Sequence, residues 1–232
     1  MKPLRALCAA LCIALAQPLA AGESQVVVEL FTSQGCSSCP PADALLRELA
    51  DRPDVIALAL HVDYWDYIGW KDTLARPEHT QRQRAYAAAG GRRMIYTPQM
   101  IVQGREDLVG VKTMELAELI QKYRAAEAPV ALDVSRRGGE VVVSLTPKGK
   151  LKGPYDVQLV RYLPYRTVQI TRGENAGQDI TYAHVVTDWS RIGGWDGRAA
   201  AELHAPLPGN GSAVVLVQQV GTGPVAVAAR LD

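Results

Sequence analysis

The sequence predicts an α/β domain built on parallel strands, followed by an all-β sandwich-like domain. Three observations carry that expectation. Gln25 to Phe31 (QVVVELF) and Val55 to Val62 (VIALALHV) are β-branched, apolar runs on either side of a helical pattern. Beyond Pro129 the texture changes to short alternating runs divided by Gly, Pro and Asn turns. The length, 232 residues, exceeds one small domain and suits one large domain or two modest ones.

The chain opens MKPLRALCAALCIALAQPLAAG. Lys2 and Arg5 precede a short apolar run, and Ala21 supplies a small residue before a cut, so residues 1–21 are expected to be a signal peptide. The run is too short for a membrane span. Cys8 and Cys12 each follow a leucine rather than the small residue that precedes a lipid-modified cysteine. The expectation is therefore a secreted, periplasmic protein with no stable membrane anchor, an α/β domain over 22–128 and a β domain over 129–232. Losing Lys2 and Arg5 takes the 25 basic residues to 23 against 24 acidic ones, which argues against a nucleic-acid partner. Apolar residues at 48% can still fill a core, with one Phe among them.

Taken in order, the first apolar run reads as a buried strand. A helix follows over about 41–51, with Ala42, Leu45, Leu46, Leu49 and Ala50 at helical spacing. Pro40 and Pro41 are tolerated in its first turn, where their missing N–H groups would have no partner. The second run is another buried strand, so the unit is βαβ with parallel pairing and a right-handed crossover. Asp63 to Lys71 (DYWDYIGWK) is irregular and aromatic. Pro77 to Ala89 reads as a helix closed by Gly90-Gly91, and Met94 to Val102 as a strand interrupted at Thr97-Pro98. A last helix runs from Val111 or Lys112 to Ala126. In the β half, Gly138-Gly139 and Gly221-Thr222-Gly223 are the expected hairpin turns.

The mature chain keeps two cysteines, Cys36 and Cys39, two residues apart. Such a pair is a redox dithiol, a structural crosslink or part of a metal site; four-cysteine zinc is excluded by number. Its place between a strand and a helix N-terminus favours an anion, which lowers a thiol pKa. On that reading Cys36, at the exposed helix start, attacks, and Cys39, one turn in, resolves the mixed disulfide. Pro98 at a strand start is a candidate cis proline that, with Thr97, presents backbone to an extended substrate. Trp65, in a cluster with Tyr64, Tyr67 and Trp70, is a candidate substrate contact. His61, near the end of the second strand, is the third candidate ligand if the cysteines held copper or zinc. Arg82, Arg84, Arg92 and Arg93 read as a solvated face, His79 as an exposed helix residue, and 173–177 as turn material.

The segments VELFTSQGCSSCPPAD, HVDYWDYIGW, YTPQMIVQG and RGENAGQDITYAHVV resemble the secreted thioredoxin-like family catalogued as domain of unknown function 1223. The resemblance makes the first unit, over roughly residues 24–126, an α/β thioredoxin-like domain, followed by the all-β sandwich-like domain that the strand pattern predicts. The redox reading of the pair then makes the protein a thiol–disulfide oxidoreductase without a cofactor, its partners being protein thiols or disulfides and a redox partner protein. Working thioredoxins carry Trp before the first cysteine, Gly-Pro between the two, and a buried acid six residues ahead of the first. Here Gly35, Ser37-Ser38 and Leu30 stand at those positions, which leaves Glu29 as the candidate proton acceptor. The alternatives from other classes are a binding protein with a structural disulfide and a copper carrier using Cys36, Cys39 and His61.

Overall fold

The structure, a computed structural model, describes residues 25–231, so the leader expected over residues 1–21 lies outside the described residues. Strand β1 (Val26–Thr32), helix α1 (Pro40–Ala50) and strand β2 (Val55–His61) form the parallel unit, with Val26 opposite Val55 and Thr32 opposite His61. Every residue of both strands is buried, as unbroken apolar runs require when a sheet is covered on both faces. Helix α2 (Pro77–Ala89) follows, then β3 (Gln99–Val102), β4 (Glu106–Val109) and α3 (Thr113–Ala125). β3 pairs antiparallel with the free edge of β1, and β4 with β3. The strand expected over Met94–Val102 is thus cut to its last four residues, since Pro98 has no N–H to give a ladder.

The second half contains β5 (Val130–Arg137), β6 (Glu140–Pro147), β7 (Tyr155–Gln169), β8 (Asp179–Trp195), β9 (Ala201–Pro206), β10 (Ala213–Gln219) and β11 (Val225–Leu231). Here the expected fold class fails. Strands β7, β8, β10 and β11 do not close a sandwich of their own. They join the first half in one eight-stranded mixed sheet, ordered β11-β10-β7-β8-β2-β1-β3-β4, while β5, β6 and β9 make a three-stranded sheet. The junction is β8, which meets β2 in parallel at Val185 opposite Ala59 and pairs antiparallel with β7 along most of its length. Neither a separate α/β thioredoxin-like unit nor a separate β-sandwich is present. The described residues form a largely β protein with three α-helices.

Three cores separate the layers. One face of β1, β2 and β3 packs on α1 and α3 through Val28, Leu30, Leu46, Met100 and Leu116. Their other face, with Phe31, Leu58 and Ile101, packs on Val160, Val214 and Leu216, so the eight-stranded sheet folds back over itself. Gln103 ties that fold: its side chain bonds Val27 N–H at 3.0 Å and the Val225 carbonyl at 3.0 Å. β10 lies between two cores, with Val214 and Leu216 in one and Ala213, Val215 and Val217 in the next against the small sheet. Burial on both faces explains why AVVLV is an unbroken apolar run rather than an alternating one.

Helix α2 buries a polar face. Arg82, expected in solvent, inserts between the folded halves and makes a two-bond ion pair with fully buried Glu29, at 2.6 and 2.8 Å. Tyr86 donates to the same carboxylate at 2.6 Å, Gln218 of β10 accepts from Arg82 at 3.0 Å, and the Trp189 ring lies 3.8 Å beneath the guanidinium. His79, expected exposed, is buried with its ring nitrogen 2.9 Å from the His61 carbonyl, and burial pushes its imidazole down to about 4. Removing one partner of a buried pair strands the other charge. Arg82→Met should therefore cost about 3–5 kcal/mol in urea unfolding, and pairing it with Glu29→Gln should restore much of that loss.

Candidate functional site

The turn between β1 and α1 carries the cysteines. Cys36 and Cys39 are joined in a disulfide, with Cα atoms 5.4 Å apart. Cys39 caps α1 in a helical conformation, and its carbonyl accepts from Ala42 N–H at 2.9 Å and Asp43 N–H at 3.1 Å. Pro40 and Pro41 occupy the first turn, where no donor is lost. Ser37 and Ser38 face solvent. Cys36 does not: it is 1% exposed and Cys39 0%, against the expectation of an exposed nucleophile.

Two segments cover the pair. The loop between β7 and β8 sends Asn175 under it, donating to the carbonyls of Gln34 at 2.9 Å and Cys36 at 3.0 Å, while Glu174 accepts from Ser37 N–H at 3.3 Å. Gly173 holds a φ of +78° in that loop, and a Cβ there would lie 3.1 Å from Trp70. The aromatic stretch covers the other side. Gly35, just ahead of Cys36, sits against Trp65 and Ile68, and Trp70 donates to Gln34 at 2.8 Å. Trp65 donates to the Thr97 hydroxyl at 2.7 Å and stacks on Tyr67, which is 80% exposed. The Thr97-Pro98 bond is cis, and buried Pro98 approaches Ala42 of α1 across Gly110, where any Cβ would meet both within 3.0 Å. Trp65 thus links Gly35, next to Cys36, to Thr97, and Pro98 lies near Ala42, three residues after Cys39.

Glu29 is elsewhere. It points to the face of β1 away from α1, into its pair with Arg82, and bonds nothing around the disulfide. His61 is fully buried on the α1 side, with Nδ1 2.8 Å from Asp72. Asp72 also accepts from the N–H groups of Gln34 and Leu74, each at 2.8 Å. Burial alone would raise that carboxyl, but His61 and these donors outweigh it and hold it below the usual carboxylate range. An ionised Asp72 only accepts, so Nδ1 carries the hydrogen. The cysteines are bonded to each other, and among the described residues no three His, Cys, Asp or Glu side chains gather as a metal site.

Asp43 was missed. It stands on the buried stripe of α1, 3% exposed, and neither oxygen makes a well-formed hydrogen bond. Burial pushes the carboxyl up to about 7, with His61 and Thr32 drawing it down and Asp72 pushing it further up. Its spacing of three before Leu46 and seven before Ala50 was the available signal, a charge on an apolar face. Asn175 and Glu174 were passed over as turn material although they lie within the RGENAGQD segment.

A mixed-sheet protein with a covered disulfide at a helix start is the class that fold and site define. The chain belongs to the family described as protein of unknown function DUF1223, whose model matches residues 27–218. A crystal structure of protein AGR_C_4864 from Agrobacterium tumefaciens is similar over 91% of this chain and 96% of its own, at 33% identity and a TM-score of 0.77. HBP35 of Porphyromonas gingivalis is similar over 90% of this chain and 74% of its own, with a TM-score of 0.61; at 15% identity that likeness concerns fold alone. No curated protein matches the chain.

Two expectations follow from this geometry. Below about pH 4 Asp43 is protonated whether folded or not. From its ordinary 3.8 up to about 7 the unfolded chain ionises and the folded one does not, so stability falls as pH rises through that window. Asp43→Asn should accordingly stabilise the protein at about pH 8, by up to the order of 4 kcal/mol, and have little effect near pH 4 in urea unfolding. Asn175→Ala leaves two carbonyls without their donor and should cost about 2 kcal/mol in the same assay.

Proposed function

We propose that this protein is a secreted thiol–disulfide oxidoreductase, exchanging disulfides with protein thiols through Cys36 and Cys39. The observation that carries the reading is the disulfide closed across the N-terminus of α1, with half-buried Trp65 bonded to Thr97 against Gly35. The positive end of the helix favours a thiolate at the pair once it is reduced. Cys36 attacks and Cys39 resolves. Half-buried Thr97, just ahead of buried Pro98, presents backbone to an extended segment of the partner, and Trp65 with exposed Tyr67 gives that segment an aromatic surface. The leader over residues 1–21 directs the chain to the periplasm, where a redox partner resets the pair.

One observation favours a second reading, a structural disulfide in a binding protein: Cys36 is as covered as Cys39. Glutathione equilibration separates the two. Exchange predicts a reduction potential of roughly −120 to −270 mV, with Cys36 alkylated faster than a free thiol at about pH 7. A potential below roughly −300 mV with an inert thiol makes the disulfide structural.

A further inference from the structure

Asp43 is the buried ionisable group to which the exchange reading assigns no task. A structural carboxylate in this protein looks like Asp72, which accepts from a histidine and two backbone donors. Asp43 has neither a histidine nor a backbone donor; the one donor beside it is the Thr32 hydroxyl, and no well-formed hydrogen bond joins them. Two more buried polar atoms without a partner accompany the pair: His61 Nε2 and the Tyr182 hydroxyl. Neighbouring strands supply them. Thr32 is the register partner of His61, and the Tyr182 ring packs edge-on against His61 at 4.6 Å between centroids. Asp72 holds the far side of the His61 ring. Folded proteins leave few buried polar atoms unpaired, so a gathering of this kind needs a reason beyond packing.

Cys39 is the neighbour that supplies one. It is helical, and Asp43 N–H donates to its carbonyl at 3.1 Å, so the two residues are separated by one helical turn. Side chains four apart lie on one face with Cβ atoms about 5–6 Å apart. Both are buried, which leaves the Cys39 thiol no solvent to take its proton. A carboxyl raised to about 7 is suited to hold a proton for part of a cycle near neutral pH.

We infer that Asp43 is the proton acceptor for Cys39: its carboxylate takes the thiol proton when the mixed disulfide is resolved, beside the His61–Asp72 pair and the Thr32 and Tyr182 hydroxyls. The inference rests on the exchange reading above. In the oxidising direction for the protein, the Cys36 thiolate attacks one sulfur of a substrate disulfide, and the other half leaves as a thiolate. The Cys39 proton passes to Asp43, and the new thiolate attacks Cys36 Sγ. The Cys36–Cys39 bond forms, the Cys36–substrate bond breaks, and the departing thiolate takes up the proton from Asp43. Two electrons pass from the dithiol to the substrate disulfide, which is the oxidant.

The test uses the mature chain and its Asp43→Asn variant, close in shape but unable to hold the proton. Reduced protein is mixed with oxidised glutathione, and the rate at which Cys36-bound glutathione is expelled is followed from about pH 6 to about pH 9. Resolution in the variant should be slower by about 100-fold near neutral pH. It should then climb roughly tenfold per pH unit toward the ordinary thiol range near 8.5, where the two proteins converge. Alkylation of Cys36 in the reduced protein should change by no more than about twofold, since that thiol does not use Asp43. Parallel pH profiles, or an equal loss at every pH, overturn the inference while leaving exchange intact. A pair that forms no mixed disulfide in either protein overturns the exchange reading and the inference together. Carbon-13 titration of the Asp43 carboxyl in the unsubstituted protein gives a check independent of how the variant folds. Its midpoint should differ between the oxidised and reduced states, and an identical midpoint overturns the inference.

Discussion

The Glu29–Arg82 ion pair is the constraint on which the two halves of this protein depend. A carboxylate at the centre of a fully buried strand has no water to turn to, and a charge in that position is tolerated only when paired and hydrogen-bonded. Arg82 reaches it from α2, Tyr86 and Gln218 complete the cage, and Trp189 lies beneath the guanidinium. The partners come from β1, α2, β8 and β10, so satisfying one charge draws the first and last thirds of the chain into a single core. The fold-back of the eight-stranded sheet supplies the apolar surroundings, with Phe31, Leu58, Val214 and Leu216 on either side.

That same fold-back shapes the disulfide site. Because β7 and β8 continue the sheet of β1 and β2, the loop joining them falls beside the turn between β1 and α1. Asn175 then bonds the carbonyls of Gln34 and Cys36, and Glu174 the amide of Ser37. Trp70 and Asp72 hold Gln34 from the other side. The cysteine turn is therefore gripped by segments from both halves of the chain, and the pair is covered although it begins a helix. Beneath it, the Asp43 and His61 side chains place two ionisable groups where solvent does not reach.

The first third of the chain was legible because local pattern governs it. The apolar runs of β1 and β2, the stripe of α1 and the Pro77 start of α2 each encode their element within a few residues, and the elements fall within a residue or two of expectation. Arg82 and His79 were read as solvent-facing because α2 has no apolar stripe; its buried face is polar and is satisfied only by Glu29, Gln218 and the His61 carbonyl. Likewise β10 is an unbroken apolar run, buried on both faces, where short alternating strands were expected. Short alternating neighbours drew it into a sandwich, whereas β10 sits between two cores of one larger assembly.

The sequence by itself determined the parallel β1-α1-β2 unit and the cysteine pair at the helix start, since hydrophobic period, proline and turn chemistry act over short stretches. Only the tertiary structure decided that the two halves share a sheet, that Glu29 faces away from the disulfide, and that Asp43 and Asn175 belong to the site. Those outcomes depend on pairing across more than a hundred residues, as between Asn175 and Cys36 or Arg82 and Gln218. A buried polar atom takes whichever partner the folded chain brings to it, and no local pattern names that partner.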